Sequence, residues 1–582
     1  MQQDALGQTI DMDSFRPNIR DPLVDRLIGP GKEFELETVD VGGHPRQVFK
    51  GAPRNLAGLY RKAEAFADRT LVVQDDTRIT FAEGFARAAS LAKHLREHFG
   101  FREGTVVAVV TSNRWEWVIA LMAITAAGGI AALVNSRGVA EEMLRAMDTV
   151  SCEVAILDAE RDDIISAERP DPAWPRIVIG APQAPLREGR DADFAALSAP
   201  RPGVEFEPLD LDPSAGAVIL YTSGTTGFPK GALISHGAIA HSATLSRFMG
   251  ALQDTRYEEE TGETLPDDCR SMATPLVILG PMFHLGGLVP VFRAVSVGTT
   301  IHIMSKWNVD IAFDMIETIG MSRLSFVPAM LWDMFRSPRA TPETMGTICY
   351  MMNGAAPLNP ELVAEIRRRM PNCLIATTYG QTEDTAWTTS NSGRTYVENP
   401  DTVGWACPTI DVAIRRDDGS EADPGEPGEV WVASACLMNG YYNNPEATSE
   451  ALRDGWLASG DIGVFDENGL LRIVDRKKNM VISGGENIYC AEVERVLGGM
   501  PGVREAIAYG KPDERLGERL AATLVVEDGA APGEDDVKAY CKQHLAIYKV
   551  PREVNSRTDP LPRTATGKVD RGRFLKSVRE KD

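Results

Sequence analysis

The chain is 582 residues long, more than a single hydrophobic core supports, so several domains are expected. With 43% hydrophobic and 25% charged residues it has the composition of a folded protein, which excludes a fibrous repeat or bulk disorder. Its 61 basic and 83 acidic residues leave a net charge of −22; so acidic a surface repels phosphate backbones and anionic lipid, which argues against nucleic-acid or membrane-surface binding.

Residues 1–50 are polar and punctuated by Pro and Gly, and read as a surface wrap. Their acidic start lacks the basic-then-apolar pattern of a secretory signal. From about residue 56 helical and strand patterns alternate. Leu56–Ala67 and Phe81–Phe99 have helical spacing, and Thr105–Thr111 is a short β-branched strand. This alternation predicts parallel sheets covered by helices. Trp117–Val134 is 18 residues without a charge, but Gly128 and Gly129 interrupt it, so it reads as buried helix, turn and strand rather than a membrane span. Asp254–Arg270 (DTRYEEETGETLPDDCR) reads as a solvated loop, and Asp417–Gly428 as a turn or hairpin connection. After Asp475 the texture changes to a small set of strands and helices, with a helix near Ala491–Leu497, strands near Arg504–Gly510 and Arg519–Val526, and a helix near Glu534–Leu545. The division expected is 1–475, a hinge at 476–479, and a small domain at 480–582. The eight cysteines show neither C-x-x-C nor metal spacing, and read as reduced thiols of a cytoplasmic protein.

The strongest local signal is Tyr221 to Gly231 (YTSGTTGFPKG), which follows the apolar strand Ala217–Leu220. Glycines there expose backbone amides, the hydroxyls of Thr222, Ser223, Thr225 and Thr226 can donate to phosphate, and Lys230 adds a point charge. The logic is that of a polyphosphate cradle, without the G-x-x-x-x-G-K-[ST] form. A flexible surface turn is the bland alternative. Further along lie Pro281–Gly287 (PMFHLGG), Asn353–Leu358 (NGAAPL), Tyr379–Glu383 (YGQTE), Trp456–Asp461 (WLASGD), Asp475–Lys478 (DRKK), Ser483–Asn487 (SGGEN) and Pro562–Lys568 (PRTATGK).

These segments, in this order, resemble the motifs of the adenylate-forming superfamily, which includes acyl-CoA synthetases, peptide-synthetase adenylation domains and firefly luciferase. The resemblance spans about residues 55–575 and is of the AMP-forming, fatty-acid or aryl-acid CoA ligase type. It implies an α/β fold: a large N-terminal adenylate-forming domain of two helix-covered sheets plus a small β subdomain, and a small mobile α+β C-terminal domain. It also implies ATP, Mg²⁺ and CoA. The nucleotide would be held by Thr222, Ser223, Gly224, Thr225, Thr226 and Lys230, with Gly354, Ala355 and Ala356 against the purine and Tyr379 stacked on it. Thr382 would contact the α-phosphate and Glu383 would hold Mg²⁺, a role suited to a hard oxygen donor. Asp461 would accept both ribose hydroxyls, assisted by Arg476. From the residues alone, an Asp–Arg ion pair joining two segments is the less favoured alternative.

By the same resemblance Lys568 stabilises charge on the transferring phosphorus, Lys478 is the hinge, and Gly484 and Gly485 line a thiol channel. Acetylation of Lys568 would remove its charge. His284, a core or rim residue when taken alone, would border the acyl pocket, where amino-acid-activating relatives carry Asp. Phe326, Val327, Pro328, Met330, Met351 and Met352 are the other expected walls. This apolar set implies a carboxylic acid with a hydrophobic tail: a medium or long fatty acid first, then aryl or arylpropenoic, then steroid-type acids. The alternatives weighed are an acyl-AMP ligase that loads a carrier-protein phosphopantetheine, a luciferase-like oxygenase, and a nucleotide-binding protein without catalysis. A homodimer through the large domain is compatible with the resemblance, as is a monomer.

Overall fold

In the computed structural model the described residues are 18–222, 230–326, 328–353, 360–385, 387–483, 486–513, 515–527, 532–564 and 567–579. They fall into two compact units: Asn18–Asp411 with Val432–Leu457, and Val412–Trp431 with the described residues from Ala458 onward.

The larger unit is built on an eight-stranded sheet. Its order is Gly440–Tyr441, Lys230–Ser235, Gly216–Thr222, Ile130–Leu133, Val106–Val110, Val154–Asp158, Arg176–Ile179 and Ala192–Asp193. The central strands are parallel and every residue of Val106–Val110, Ile130–Leu133 and Val154–Asp158 is buried, which is why they read as unbroken apolar runs. The uncharged run resolves as expected into the helix Trp115–Ala126 and the strand Ile130–Leu133. Gly128 turns the chain at φ +89°, and a Cβ on Gly129 would meet the Phe101 ring at 2.3 Å. No helix among the described residues is long and apolar enough to cross a membrane.

A second, five-stranded sheet places Arg323–Phe326, Tyr350–Asn353 and Leu374–Tyr379 in parallel, followed by Thr389–Ser392 and Trp405–Ala406 antiparallel. Phe326, Asn353 and Thr377 lie side by side across the parallel strands. Strand alternation sends Met351 into the core with Phe313, Met334 and Leu362, while Met352 packs with Tyr257 and Leu265. The two methionines therefore pack into different clusters.

Two further expectations are corrected. Asp254–Arg270 is not a solvated loop: the helix that starts at His236 continues to Thr261 and ends on Gly262 at φ +71°. Asp254, Arg256, Tyr257 and Leu265 are buried. The charges are satisfied in place: Asp254 accepts from Ser271 N at 3.0 Å and pairs with Arg323, and Arg256 pairs with Asp21. Residues 18–50 are likewise more than a wrap. Leu36–Val41 and His44–Phe49 form a hairpin closed by Gly42 and Gly43, both at positive φ. Phe34 and Phe49 are buried against Phe248, with ring centroids 5.3 and 5.5 Å away.

In the smaller unit a five-stranded sheet runs Glu486–Ile488, Val481–Ser483, Gly517–Val526, Val503–Asp513, with Glu553–Arg557 parallel to Gly517–Val526. The helices Cys490–Gly498 and Glu534–His544 pack on it through Val493, Leu497, Val537 and Cys541. Strands Ile410–Arg415, Gly428–Ser434 and Trp456–Phe465 belong to another sheet. Ahead of the small sheet, the single turn Lys477–Asn479 follows the strand Leu471–Arg476. Asp475 is buried, and its carboxylate accepts from Ala491 N at 2.9 Å, in the first turn of Cys490–Gly498, where an anion is favoured.

Candidate active site

In the larger unit the strands Gly216–Thr222 and Lys230–Ser235 form an antiparallel pair that puts Thr222 opposite Lys230. They flank positions 223–229. Ser223, Gly224, Thr225 and Thr226 lie outside the described residues, as do Gly354, Ala355 and Ala356, the wall residue Val327, and Gly484 and Gly485 in the other unit. Thr222 and Lys230 are half-buried. The Lys230 ammonium lies 5.1 Å from the centroid of the Tyr441 ring, within the range of a cation–π contact.

The strand Leu374–Tyr379 ends at a half-buried Tyr379, and a single turn, Thr382–Asp384, follows. Gln381 and Asp384 cap that turn reciprocally. Asp384, fully buried, accepts from Gln381 N at 2.9 Å and from the Thr388 hydroxyl. Thr385 closes the turn in the left-handed region at φ +54°, a strained position for a β-branched residue. It is held by its hydroxyl on Cys436 O at 2.6 Å and by Ser242, whose hydroxyl donates to Thr385 O at 3.2 Å. Thr382 stays half-buried and Glu383 is 8% exposed. The Tyr441 hydroxyl donates to Glu383 Oε1 at 2.7 Å, and Met438 N donates to Glu383 O at 2.8 Å. One tyrosine thus touches both Lys230 and Glu383.

His284 sits at the N-terminus of the helix Leu285–Val297, half-buried, its ring tilted on Phe283 at a centroid distance of 4.5 Å. The turn before it is pinned by the buried Asn113, which donates to Gly280 O at 2.8 Å and accepts from Met282 N at 3.0 Å. Gly287 is obligatory there, since a Cβ would lie 2.3 Å from Met282 Cα. Phe326 and Met351 are buried in the core, with Met330 packed against it.

In the smaller unit Asp461 and Arg476 face each other across antiparallel strands, with Arg476 Nε 2.7 Å from Asp461 Oδ1. The carboxylate is buried and the guanidinium half-exposed. Lys478 and Lys568 are exposed residues by surface area, yet both ammonium groups are crowded enough that desolvation is the main cause lowering their pKa. Arg476 lowers both further, and Asp461 opposes it. The loop bearing Lys568 therefore lies within electrostatic reach of the Asp461–Arg476 pair. Its turn is closed by Gly567 at φ +82°, with Thr564 N donating to Lys568 O at 2.8 Å.

Residues 59–442 match the model of the AMP-binding enzyme family, and residues 492–568 that of the AMP-binding enzyme C-terminal domain. The chain belongs to the AMP-binding enzyme family. Within this family it is 30% identical over 525 residues to a 2-succinylbenzoate–CoA ligase of Bacillus cereus, covering 90% of this chain and 98% of the ligase. To a long-chain-fatty-acid–CoA ligase of Mycobacterium tuberculosis it is 33% identical over 497 residues, 85% of this chain and 92% of that one. Among solved structures, o-succinylbenzoate CoA synthetase of Bacillus subtilis with its acyl-adenylate intermediate matches at TM-score 0.72 and 27% identity, over 89% of this chain and 97% of that one. An amide bond synthetase of Marinactinospora thermotolerans matches at TM-score 0.76 and 27% identity, over 90% and 99%. The α/β architecture, with a large N-terminal domain and a small C-terminal one, is that of adenylate-forming enzymes. An ATP-bound relative, MatB of Rhodopseudomonas palustris, matches at TM-score 0.76 and 27% identity, over 90% of this chain and 99% of that one.

Sequence reasoning passed over Tyr441, Asp384 and Asn113. None stands in a quoted motif, although Asp384 directly follows one. Gly440-Tyr441 beside Asn443-Asn444-Pro445 carried a turn signal, but nothing in it announced a hydroxyl aimed at Glu383.

Proposed function

We propose that the protein is an AMP-forming acyl-CoA ligase acting on a carboxylic acid with a hydrophobic tail, a medium- or long-chain fatty acid or an aryl acid. A carboxylate is a poor electrophile because its leaving group would be oxide. Attack of a carboxylate oxygen on the α-phosphorus of ATP forms the acyl–phosphate bond and expels pyrophosphate. The thiol of CoA then attacks the acyl carbon, AMP leaves, and a thioester remains. The enzyme contributes positioning and charge stabilisation, with no covalent nucleophile of its own.

The observation that carries this reading is similarity to CoA ligases over 85–90% of the chain, with both family domains matched. Among the described residues, the Tyr441–Glu383 hydrogen bond and the Asp461–Arg476 pair support the roles assigned to Glu383, Asp461 and Arg476. Lys230, with Thr222 and the residues between them, would hold the phosphates; Tyr379 would stack on adenine with Gly354, Ala355 and Ala356 against it; Thr382 would contact the α-phosphate. Asp461 would take the ribose hydroxyls beside Arg476, and Lys568, close to that pair, would meet the charge developing on the phosphorus. Among the described residues no group of three or more His, Cys, Asp and Glu side chains could hold a metal ion. A buried single carboxylate fits Mg²⁺, a hard cation bound through one or two carboxylates and substrate phosphates. Glu383 would hold it, and the ion would neutralise phosphate oxygens. His284 would border the acyl tail, Gly484 and Gly485 the pantetheine arm, and residues 480–582 would swing about Lys478 between the two steps. Eight free thiols accord with a reducing, cytoplasmic setting.

Exchange of labelled pyrophosphate into ATP tests the first step. It is expected to depend on fatty or aryl carboxylates and to stay at background with amino acids. Exchange driven by amino acids would overturn the assignment of an uncharged acyl pocket.

A further inference from the structure

We infer that Tyr441 is a positioning residue for adenylation, holding the Glu383 carboxylate and the Lys230 ammonium in one arrangement; this rests on the ligase reading above. The strand Gly440–Tyr441 is laced on both sides. Gly440 pairs with Leu233 and Tyr441 with Ala232, while Tyr442 N donates to Gly231 O at 2.7 Å and Asn439 N to Leu233 O at 2.8 Å. On the other side Met438 N donates to Glu383 O. Gly440 takes φ +143°, and a Cβ there would meet Thr448 Cγ2 at 2.7 Å, so the strand enters Tyr441 along a path only glycine allows. Thr448 Oγ1 accepts from Tyr441 N at 2.9 Å and fixes the residue from behind.

A ring fixed so firmly serves two charges of opposite sign. Its face lies towards the Lys230 ammonium, and its hydroxyl donates to Glu383 Oε1. A phenol that donates to a carboxylate oxygen stops the group's rotation. Phenylalanine would keep the ring under Lys230 and lose only the hydroxyl, whereas leucine would lose both.

Calorimetric titration of Mg²⁺ into the full-length protein holding a non-hydrolysable ATP analogue tests the assignment. For Tyr441→Phe the Mg²⁺ dissociation constant is expected to rise about tenfold, the loss of one hydrogen bond to a charged group. Thioester formation from pre-formed acyl-adenylate should remain within twofold of wild type. Tyr441→Phe combined with Glu383→Gln should bind Mg²⁺ no worse than Glu383→Gln alone, because the tyrosine acts through the carboxylate. Tyr441→Leu should in addition weaken binding of the metal-free analogue. An unchanged Mg²⁺ affinity in Tyr441→Phe, or additive losses in the double variant, would overturn the inference. Failure of the ligase reading would show separately, as a wild-type protein that makes no acyl-adenylate from any acid.

Discussion

The surroundings of Lys568 bear directly on the role proposed for it. The crowding that desolvates it, and the repulsion from Arg476, both disfavour its charge, so the ammonium is held below the ordinary lysine pKa with Asp461 in partial opposition. A cation kept partly desolvated interacts more strongly with charge that appears only in the transition state. Lys568→Ala is expected to slow adenylation by about a hundredfold or more while sparing thioester formation from supplied acyl-adenylate, and rapid-quench assays of the two half-reactions check this. The pH dependence follows in sign. In the proposed role the protonated form acts, and a lowered pKa means that the charge is lost at lower pH, so the alkaline decline of adenylation is expected to set in earlier than for an ordinary lysine. Arg476→Gln removes a repulsion and should move that decline to higher pH; a shift the other way would contradict the assignment. How far such a site can be read in advance varies by residue. The motif positions Lys230, Thr382, Glu383, Asp461, Arg476 and Lys568 could be proposed because they stand in segments that resemble the motifs of the adenylate-forming superfamily. Tyr441 could not, since its role depends on a strand pairing that brings positions 58 apart in sequence into one hydrogen bond.

At the scale of elements, sequence patterns resolved those whose apolar period is plain. Trp115–Ala126 and Ile130–Leu133 emerged because the Gly128–Gly129 pair separates two different periods. The last turns of the helix His236–Thr261 did not, because a buried ion pair and a solvated one have the same letters. Asp254 and Arg256 looked like loop residues until Arg323 and Asp21 supplied their partners. The Gly262 cap and the hairpin glycines Gly42 and Gly43 were legible signals that went unused. The buried segment makes its own prediction. Leu265 is 1% exposed and packs with Tyr257, Tyr350 and Leu374, so Leu265→Ala should lower the stability of the larger unit by about 2–4 kcal/mol in denaturant titration. A solvated loop would show no such loss.

On the scale of the whole molecule, the residues proposed for the chemistry fall in two units that each fold around a core of their own. The larger unit carries Lys230, Tyr379, Glu383 and Tyr441; the smaller carries Asp461, Arg476 and Lys568. That organisation suits a two-step reaction in which one acyl group meets first a phosphate and then a thiol. The identity of the second nucleophile is the point on which the account rests, since relatives of this fold include CoA ligases and an amide bond synthetase. The direct measurement is product analysis of the protein with Mg²⁺-ATP and a panel of fatty and aryl acids, with CoA present and absent. The account predicts AMP, pyrophosphate and an acyl-CoA thioester, with turnover that depends on CoA. Acyl-adenylate that accumulates unchanged by CoA, and is consumed only by an amine or a phosphopantetheinylated carrier protein, would contradict it.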